Sequence, residues 1–587
     1  LGGGSVTASV RALEKEGYLT IHDEEVLRDP DAAEEFLESK PLPLNPEQAE
    51  ALDRIIAATN RSSEDPPKPI LLHGVTGSGK TEVYLQAAQH VLDEGKSVIV
   101  LVPEISLTPQ TVQRFKSRFA GLQDAVAVLH SHLSQGERFD EWHRLRKGRA
   151  RLVVGARSAI FAPLPELGLI IVDEEHENTY KQENPPRYQG RDLAVVRAAL
   201  EQCPVVLGSA TPSLESTQNA RSGKYDLVRL TQRADGASLP LIRVVDMRLE
   251  ARKQKGSSPA ILSDPLRTAM EKRLDEGAQI ILFLNRRGFA RSLQCPSCGH
   301  VCECQHCALP LTYHRNDERL RCHLCGFQSI VPRKCPKCSD PSIRLQGFGT
   351  EKVEEVLRKV FPRARLARLD TDTTRRKNAL RDTLTAFRAR KIDILLGTQM
   401  IAKGLDFPNV TLAGILNADL SLHIPDFRAG ERTFQLLTQV AGRAGRGELE
   451  GEVIIQTFTP HSPSIQFARH HDFEGYADQD LEFRQQFSYP PFAHSALLTT
   501  RSTKERLAEF TLQNLHQRLE KNLPEGLLLG VPNPAPTPRT HGQFRYQILL
   551  RSANARVLSN HVQTVLKDFT LPAEITLTFD MDAYDFG

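Results

Sequence analysis

The sequence predicts an α/β protein with two parallel sheets in tandem, and three observations lead to this class. First, short apolar runs rich in Val, Ile and Leu alternate with stretches of helical periodicity, as in parallel strands covered by helices on both faces. Second, these runs form two series: the predicted strands are 69–73, 97–102, 152–154, 168–172 and 204–208, followed by 279–284, 365–369, 392–396, 411–416 and 452–457. Third, a block of cysteines interrupts the second series just after its first strand.

Length and composition set the broad class of protein. The 587 residues exceed the roughly 250–300 residues at which single cores stop growing, so several domains are expected. The composition, 40% hydrophobic and 25% charged, is ordinary for a folded soluble protein. A net charge of +3 permits nucleic-acid binding without arguing for it. There is no apolar run of about 18 residues and no secretory leader, so we expect a cytoplasmic protein without a membrane span.

Changes in pattern along the chain predict the domain boundaries. A short helix within 6–20, which Gly17 ends, resembles the last helix and wing of a winged-helix domain. The stretch of about 470–587 mixes helix-like and strand-like runs. The predicted segments are a partial N-terminal winged helix and linker (1–40), the first parallel-sheet domain (41–235), the start of the second (236–290), a cysteine-rich module (291–345), the remainder of the second (346–465) and a C-terminal α+β domain (466–587).

A phosphate-binding loop follows the first predicted strand. The motif G-x-x-x-x-G-K-[ST] is complete in Gly74, Val75, Thr76, Gly77, Ser78, Gly79, Lys80 and Thr81. It lies between a strand and a helix, which is the context that distinguishes a P-loop from a chance glycine-rich turn. Its backbone N–H groups would surround the phosphates of ATP, Lys80 would reach the β- and γ-phosphates, and Thr81 would bind Mg²⁺.

Acidic residues complete the predicted ATP site. Asp173 and Glu174 directly follow an apolar strand, in Asp-Glu-Glu-His. Asp173 would bind the Mg²⁺ ion, and Glu174 would act as general base on the attacking water. Gln48 lies about thirty residues before the P-loop and suits adenine recognition, although this residue alone supports a structural role equally well.

A second basic motif predicts a γ-phosphate sensor. Gln439, Arg443 and Arg446 stand in the frame Q-x-x-x-R-x-x-R on a predicted helix. Two arginines three residues apart can direct planar donors at the charge that develops during phosphoryl transfer. The pattern favours this role over two surface arginines.

The cysteines predict a metal module. Nine of the ten lie between 295 and 338, and eight form Cys-x-x-Cys pairs: Cys295, Cys298, Cys304, Cys307, Cys322, Cys325, Cys335 and Cys338. Eight thiolates suit two structural Zn²⁺ ions in closed Cys₄ sites, with an iron–sulfur cluster as the alternative. Cys302, His300, His306 and His323 are close enough to compete as ligands, although we expect the histidines to be bystanders.

Taken in order, these motifs resemble superfamily 2 helicases, and more closely the primosomal replication-restart DNA helicases within that superfamily. Further matching segments are 103–108, 155–159, Ser209-Ala210-Thr211, 285–288, 347–351 and 398–407. The resemblance implies two RecA-like motor domains and an ATP-dependent 3′-to-5′ DNA helicase. It also implies action at stalled or recombined forks, and primosome assembly with single-stranded DNA-binding protein and other primosome proteins. We expect a monomer.

The resemblance also implies DNA contacts and a zinc pairing. Residues 177–191 are similar to an aromatic-rich loop that links DNA contact to ATP turnover; in it Tyr180 and Tyr188 can stack on bases, and Lys181 and Arg187 can hold phosphates. Without the neighbouring motif, an ordinary surface loop would explain this segment equally well. Further predicted DNA contacts are Arg157, Arg286, Arg287 and Lys403. In the implied zinc pairing, cysteines 304, 307, 322 and 325 hold one ion and the outer four hold the other.

Two other functions compete with this interpretation. One is a different superfamily 2 motor, such as an RNA helicase or a double-strand translocase. The aromatic loop and the inserted cysteine module argue against it. The other is a scaffold that binds forks and recruits proteins without unwinding. The intact set of Lys80, Asp173, Glu174 and Arg446 argues against that.

Overall fold

The computed structural model gives the arrangement of most of the chain. It describes residues 6–20, 37–60, 65–104, 109–122, 125–131, 133–236, 238–253, 261–284, 292–314, 317–345, 348–370, 373, 379–398, 401, 407, 409–445 and 451–584.

The strands of the described residues form five sheets. In chain order they are β1 (Ile70–Gly74), β2 (Ser97–Leu101), β3 (Val126–Leu129), β4 (Leu152–Gly155), β5 (Leu167–Asp173), β6 (Val205–Ser209), β7 (Asp226–Leu230), β8 (Leu241–Asp246), β9 (Gln279–Phe283), β10 (Leu293–Gln294), β11 (Thr312–His314), β12 (Arg319–Arg321), β13 (Gln328–Ile330), β14 (Arg344–Leu345), β15 (Leu366–Leu369), β16 (Ile394–Gly397), β17 (Val410–Ile415), β18 (Glu452–Thr457), β19 (His494–Ser502), β20 (Leu527–Leu529), β21 (Asn533–Thr540), β22 (Gln543–Ser552) and β23 (Thr576–Met581).

Helices connect and cover these strands. They are Val6–Lys15, Pro46–Thr59, Lys80–Asp93, Pro109–Arg118, Gln135–Arg146, Gly190–Leu200, Leu214–Arg221, Met247–Lys253, Asp264–Asp275, Thr350–Val360, Ala379–Arg388, Asp419–Leu422, Ala429–Ala441, Pro463–Arg469, Phe473–Gln486, Glu505–Glu520 and Ala555–Lys567, with 3₁₀ turns at Arg157–Phe161 and Asn178–Tyr180. No helix in the described part of the chain is both long and apolar enough to cross a membrane.

The first seven strands form one parallel sheet, which we call lobe 1 together with its helices. The strand order is β3-β4-β2-β5-β6-β1-β7. Its central strands are buried on both faces, and separate apolar cores fill the two sides. The continuous apolar sequence of these strands follows from this double burial. Because β1, β5 and β6 are neighbours, their carboxyl ends bring three sequence motifs to one edge of the sheet.

A second parallel sheet forms lobe 2, in the order β15-β16-β9-β17-β18-β8. All ten strands predicted from sequence are present to within two residues. Three further strands of the parallel sheets, β3, β7 and β8, were not predicted, and each lies at the edge of its sheet. Exposed arginines interrupt the apolar sequence of two of them, Arg229 in β7 and Arg243 in β8, and this weakens the apolar signal.

Two smaller units complete the molecule. Between β9 and β15, the short pair β10–β14 closes the base of an insertion that also contains the antiparallel sheet β11-β12-β13. Strands β19 to β23 form an antiparallel sheet, against which the helices Glu505–Glu520 and Ala555–Lys567 pack one apolar core. The predicted fold class, two RecA-like α/β lobes with a cysteine-rich insertion and a C-terminal α+β unit, is confirmed. The predicted domain boundaries stay a prediction, and most of the expected wing lies outside the described residues.

Candidate ATP site, aromatic loop and metal centre

The P-loop lies at the carboxyl end of β1, where two glycines allow its sharp turn. Gly77 and Gly79 have φ angles of 85° and 79°, in the left-handed region that side chains disfavour. Lys80 begins the helix Lys80–Asp93, and its Nζ donates to the carbonyl oxygen of Gly74 at 2.6 Å. The loop is therefore closed on itself by the lysine that is predicted to bind phosphate.

Gln48 supports the P-loop through its side-chain amide. Its Oε1 accepts a hydrogen bond from the backbone N–H of Asn45 at 2.8 Å, completing a capping box at the start of the helix Pro46–Thr59. Its Nε2 donates to the carbonyl oxygen of Ser78 at 2.8 Å. The Nε2 atom of the amide thus joins this helix to the P-loop. Adenine recognition by Gln48 stays a prediction.

Asp173 ends β5 beside the P-loop, and Glu174 follows it with a φ of 45°. The hydroxyl of Tyr84 donates to Asp173 Oδ1 at 3.2 Å. Burial, reinforced by the neighbouring Glu174 carboxylate, raises the pKa of Asp173 to about 6, although the charge of Lys80 opposes this. Burial also lowers the pKa of Lys80, against the attraction of both carboxylates. Charges this poorly solvated are typical of a site that is completed by a charged ligand.

A polar chain connects this acidic motif to lobe 2. His176 Nδ1 is 2.7 Å from the hydroxyl of Ser209 at the end of β6. On its other side, His176 Nε2 is 2.8 Å from Nε2 of Gln439, which lies on the helix Ala429–Ala441 of lobe 2. His176 and Gln439 are buried, at 7% and 6% exposure. The predicted sensor glutamine is therefore in direct contact with the predicted hydrolysis motif, across the boundary between the lobes.

The end of the same helix of lobe 2 faces the P-loop. An added Cβ on Gly442 would collide with the side chain of Thr76, so the two lobes meet closely here. The positive charge of Arg443 contributes to lowering the pKa of Lys80, which places this arginine near the lysine of the P-loop. Arg446 lies outside the described residues, as do Arg286, Arg287 and Lys403.

The aromatic loop is more buried than its sequence suggests. Tyr180 is 0% exposed, and its hydroxyl donates to the carbonyl oxygen of Asp173 at 2.7 Å. The expectation that Tyr180 stacks on bases is therefore not met in this conformation, because its ring is covered by the core of lobe 1. Tyr188 is partly buried and packs edge-on against Phe161 at 5.2 Å.

The basic residues of this region also have partners within the chain. Arg157 Nη1 donates to the carbonyl oxygens of Thr179 and Lys181, at 3.0 and 2.8 Å, and so supports the backbone of the loop. Lys181 is 6% exposed and pairs with Asp580, and Arg187 lies near the same carboxylate. DNA contact by these residues stays a prediction.

A buried cluster of charges between the lobes was missed by the sequence reasoning. Arg484, which is 0% exposed, pairs with Glu431 at 2.5 Å and with Asp480 at 2.8 Å. Arg428 pairs with Glu215 of lobe 1 at 3.1 Å. We call these five residues the interlobe cluster. No motif marks it, since its members come from three separate helices, and only the position of Glu215 just after Ser209-Ala210-Thr211 gives a signal.

The cysteine pairs meet in two groups of four. One group is Cys295, Cys298, Cys335 and Cys338; the other is Cys304, Cys307, Cys322 and Cys325. Within each group the sulfur atoms all lie within 4.8 Å of one another. The contacts between Cys295 and Cys338 and between Cys298 and Cys335 are both 3.6 Å. A tetrahedral ion with Zn–S bonds of about 2.3 Å requires sulfurs about 3.8 Å apart, so both groups fit Zn²⁺. The grouping is the one that the resemblance implied.

The other candidate ligands lie outside these two groups. Cys302 is buried, and burial raises the pKa of its thiol to about 11. His323 Nδ1 is 2.8 Å from the carbonyl oxygen of Pro534, and its Nε2 is 3.1 Å from His314. His306 packs against the ring of Phe327. Closed Cys₄ sites of this kind are structural, since four thiolates leave no position for a reacting ligand.

Family models match most of these regions. A DEAD/DEAH box helicase model matches residues 45–220, and a helicase conserved C-terminal domain model matches residues 347–448. The model of the PriA DNA helicase Cys-rich region matches residues 304–329, and that of the primosomal protein N C-terminal domain matches residues 485–584. The structure has two parallel-sheet lobes with a P-loop at their boundary. Together with these matches, it defines a DNA helicase, an enzyme that hydrolyses ATP.

Whole-chain relatives identify the family within this class. The chain is 47% identical over 581 residues to replication restart protein PriA of Bacillus subtilis, 43% identical over 554 residues to that of Synechocystis, and 42% identical over 578 residues to that of Chlamydia pneumoniae. These matches cover 98%, 93% and 98% of this chain, and 71%, 65% and 76% of the three relatives. The chain belongs to the PriA family of replication restart helicases.

Proposed function

We propose that this chain is a DNA-dependent ATPase that unwinds DNA in the 3′-to-5′ direction, and that it acts at stalled or recombined forks to promote primosome assembly. The contact between His176 and Gln439 carries the mechanistic part of this proposal. It joins the predicted hydrolysis motif of lobe 1 to the predicted sensor helix of lobe 2. A change at the γ-phosphate would therefore reach lobe 2 through one buried chain of polar atoms.

The roles of the site residues follow from their positions. Lys80 would exchange the carbonyl of Gly74 for the β- and γ-phosphates of ATP. Asp173 and Thr81 would hold Mg²⁺, which offsets the negative charge of the nucleotide. Glu174 would orient and deprotonate the attacking water, and Arg443 with Arg446 would stabilise the charge of the transition state.

DNA would contact both lobes at the edge where the ATP site lies. We propose Tyr188, Lys181, Arg187 and Arg157 in lobe 1 as parts of this surface. Arg286, Arg287 and Lys403 would contribute from lobe 2, with the aromatic loop linking DNA to Asp173. The cysteine-rich module of residues 291–345, which we call the zinc module, would serve as a structural element. Single-stranded DNA-binding protein and other primosome proteins are the proposed partners.

The ATP site is tested by removing its lysine. We expect Lys80→Ala to lower ATP turnover about 100-fold or more, because the donor that stabilises phosphate charge is lost. The control is Lys96→Ala, which removes a half-exposed lysine of the same lobe that pairs with Glu94. A steady-state assay of phosphate release, with and without forked DNA, measures both. Turnover that is the same with and without DNA would contradict the proposed DNA-dependent ATPase activity.

Polarity and the scaffold alternative need a second assay. Strand displacement is measured on duplexes that carry a single-stranded tail on either the 3′ or the 5′ side of the loading strand. We expect ATP-dependent unwinding only from the substrate that requires 3′-to-5′ movement. Unwinding only of the other duplex would contradict the polarity, and fork binding without any unwinding would favour a scaffold.

A further inference from the structure

The end of strand β23 contacts the aromatic loop of lobe 1. We call residues 580–584 the clamp segment. Lys181 Nζ donates to the carbonyl oxygen of Met581 at 2.7 Å and pairs with Asp580 Oδ1 at 2.8 Å. The other carboxylate oxygen of Asp580 lies 3.9 Å from Nε of Arg187. One carboxylate of the C-terminal sheet therefore faces two of the loop cations that are proposed to hold DNA phosphates.

The same segment continues into the boundary between the lobes. Arg191 of lobe 1 donates to the hydroxyl of Tyr584 at 3.4 Å. From lobe 2, Arg428 donates to the carbonyl oxygen of Ala583 at 3.2 Å and lies over the ring of Tyr584 at 4.5 Å. Arg432 donates to the carbonyl oxygen of Tyr584 at 2.7 Å. The clamp segment is thus held by the loop and by both lobes.

The chemistry of these contacts resembles that of a bound nucleic-acid strand. The clamp segment presents a carboxylate to Lys181 and Arg187, and an aromatic ring to a guanidinium group. A DNA strand would present phosphates and bases to the same types of side chain. The side chains of Lys181 and Asp580 are only 6% and 16% exposed, so solvent screens this ion pair weakly. A phosphate cannot reach Lys181 Nζ while Asp580 occupies it.

We propose that, in the DNA-free chain, Asp580 of the clamp segment pairs with the cations of the aromatic loop that otherwise bind DNA phosphates. When DNA binds, a phosphate displaces Asp580. Displacement would free Lys181, and with it the loop whose Tyr180 is bonded to Asp173 of the ATP site. It would also withdraw Tyr584 from the arginines of both lobes. Arrival of DNA would then release a restraint on the motor. This inference rests on the proposed DNA-dependent ATPase function.

The test is Asp580→Asn, which keeps the shape of the side chain and removes its charge. We expect ATP turnover without DNA to rise about threefold or more, and half-maximal stimulation to need about fivefold less forked DNA, because a competing anion is gone. The control is Glu574→Gln, which removes one charge from an exposed pair with Lys504 in the same antiparallel unit. That control is expected to match the wild-type chain. Unchanged turnover and unchanged DNA requirement in Asp580→Asn would overturn the proposal.

Hydrogen exchange on the wild-type chain gives an independent readout. We expect backbone amides of residues 580–584 to lose protection when forked DNA binds, whereas equal or greater protection would overturn the displacement. The outcomes also separate the two proposals. If DNA does not stimulate the wild-type chain, both fail. If DNA stimulates it but Asp580→Asn behaves like the wild type, only the role of the clamp segment fails.

Discussion

Two groups of buried charges lie at the boundary between the lobes, and they differ in how completely their charges are paired. In the interlobe cluster, Arg484 contacts two carboxylates at 2.5 and 2.8 Å. In the ATP site, Lys80 donates to the backbone carbonyl of Gly74, and burial lowers its pKa despite the nearby charges of Asp173 and Glu174. The first group is complete within the protein. The second lacks such partners, and the proposed nucleotide and Mg²⁺ would supply the missing charges.

Glu215 and Asp173 show this contrast in their pKa values, whereas burial raises the pKa of Glu431 and of Asp480 within the interlobe cluster. Burial opposes ionisation of Glu215, but the guanidinium groups of Arg428, Arg484 and Arg191 outweigh it and lower the pKa of Glu215 to about 2. In the ATP site, burial and Glu174 together raise the pKa of Asp173 to about 6. Two carboxylates at one boundary are therefore shifted in opposite directions. We infer that Glu215 stabilises the fold as an ionised group and that Asp173 is ionised at a cost in stability.

The largest change in the free energy of unfolding is expected when the ion pairs of the interlobe cluster are broken. Arg484→Met leaves Glu431 and Asp480 buried without their partner, so we expect the free energy of unfolding to fall by about 3–5 kcal/mol. The matched control is Arg518→Met, since this exposed arginine donates to the carbonyl oxygen of Asp568 at the surface. Denaturant unfolding followed by circular dichroism measures both. A loss below 1 kcal/mol for Arg484→Met would mean that the cluster does not stabilise the lobe boundary.

In the ATP site, a substitution is expected to increase the free energy of unfolding. A carboxyl whose folded-state pKa is raised destabilises the folded chain when it is ionised at neutral pH. Asp173→Asn should therefore increase the free energy of unfolding by roughly 1–3 kcal/mol while abolishing Mg²⁺-dependent ATP turnover. Thermal unfolding and the phosphate-release assay measure the two effects on the same sample. A variant that is both inactive and less stable would contradict the idea that this site is incomplete without ligand.

The smallest change in stability is expected on lowering the pH, which distinguishes the interlobe cluster from the ATP site without mutation. The stability that Glu215 contributes is present above its ordinary pKa of 4.5 and is lost as the pH falls through about 2. Asp173 instead becomes protonated below about pH 6, and its ionisation penalty then disappears. At limiting Mg²⁺ we therefore expect ATP turnover to fall about tenfold per pH unit below 6, while the melting temperature holds to about pH 4.5. Parallel loss of both would show that unfolding, and not protonation of Asp173, ends activity.

The fold and the ATP motifs could be predicted because their signals are contiguous in sequence. The P-loop needs only eight neighbouring residues, and the buried strands need only their apolar runs. Pairing across the molecule is different. His176 and Gln439 were each marked by a motif, but no local pattern could show that their side chains touch across 263 positions of sequence.

Exposure was the property that the sequence predicted least well. Tyr180 lies in a polar, proline-containing loop, and such loops are usually at the surface. Its burial depends on a hydrogen bond to the backbone of Asp173 and on the core of lobe 1. The contact of Lys181 with Met581 spans 400 positions, so the clamp segment could be found only in the folded structure.

The strand order of lobe 2 sets a sequence of events for its synthesis. Strands β8 and β9 precede the zinc module in the chain, yet they are not neighbours: β8 pairs with β18, and β9 lies between β16 and β17. Among the strands that the structure describes, no pair in this sheet can form before the ribosome has passed the module. The contacts within the module are short-range, and β10 pairs with β14 at its base. Local contacts form faster than distant ones, so the metal-binding unit is expected to fold first, and the motor lobe around it is completed last by β18 and β8.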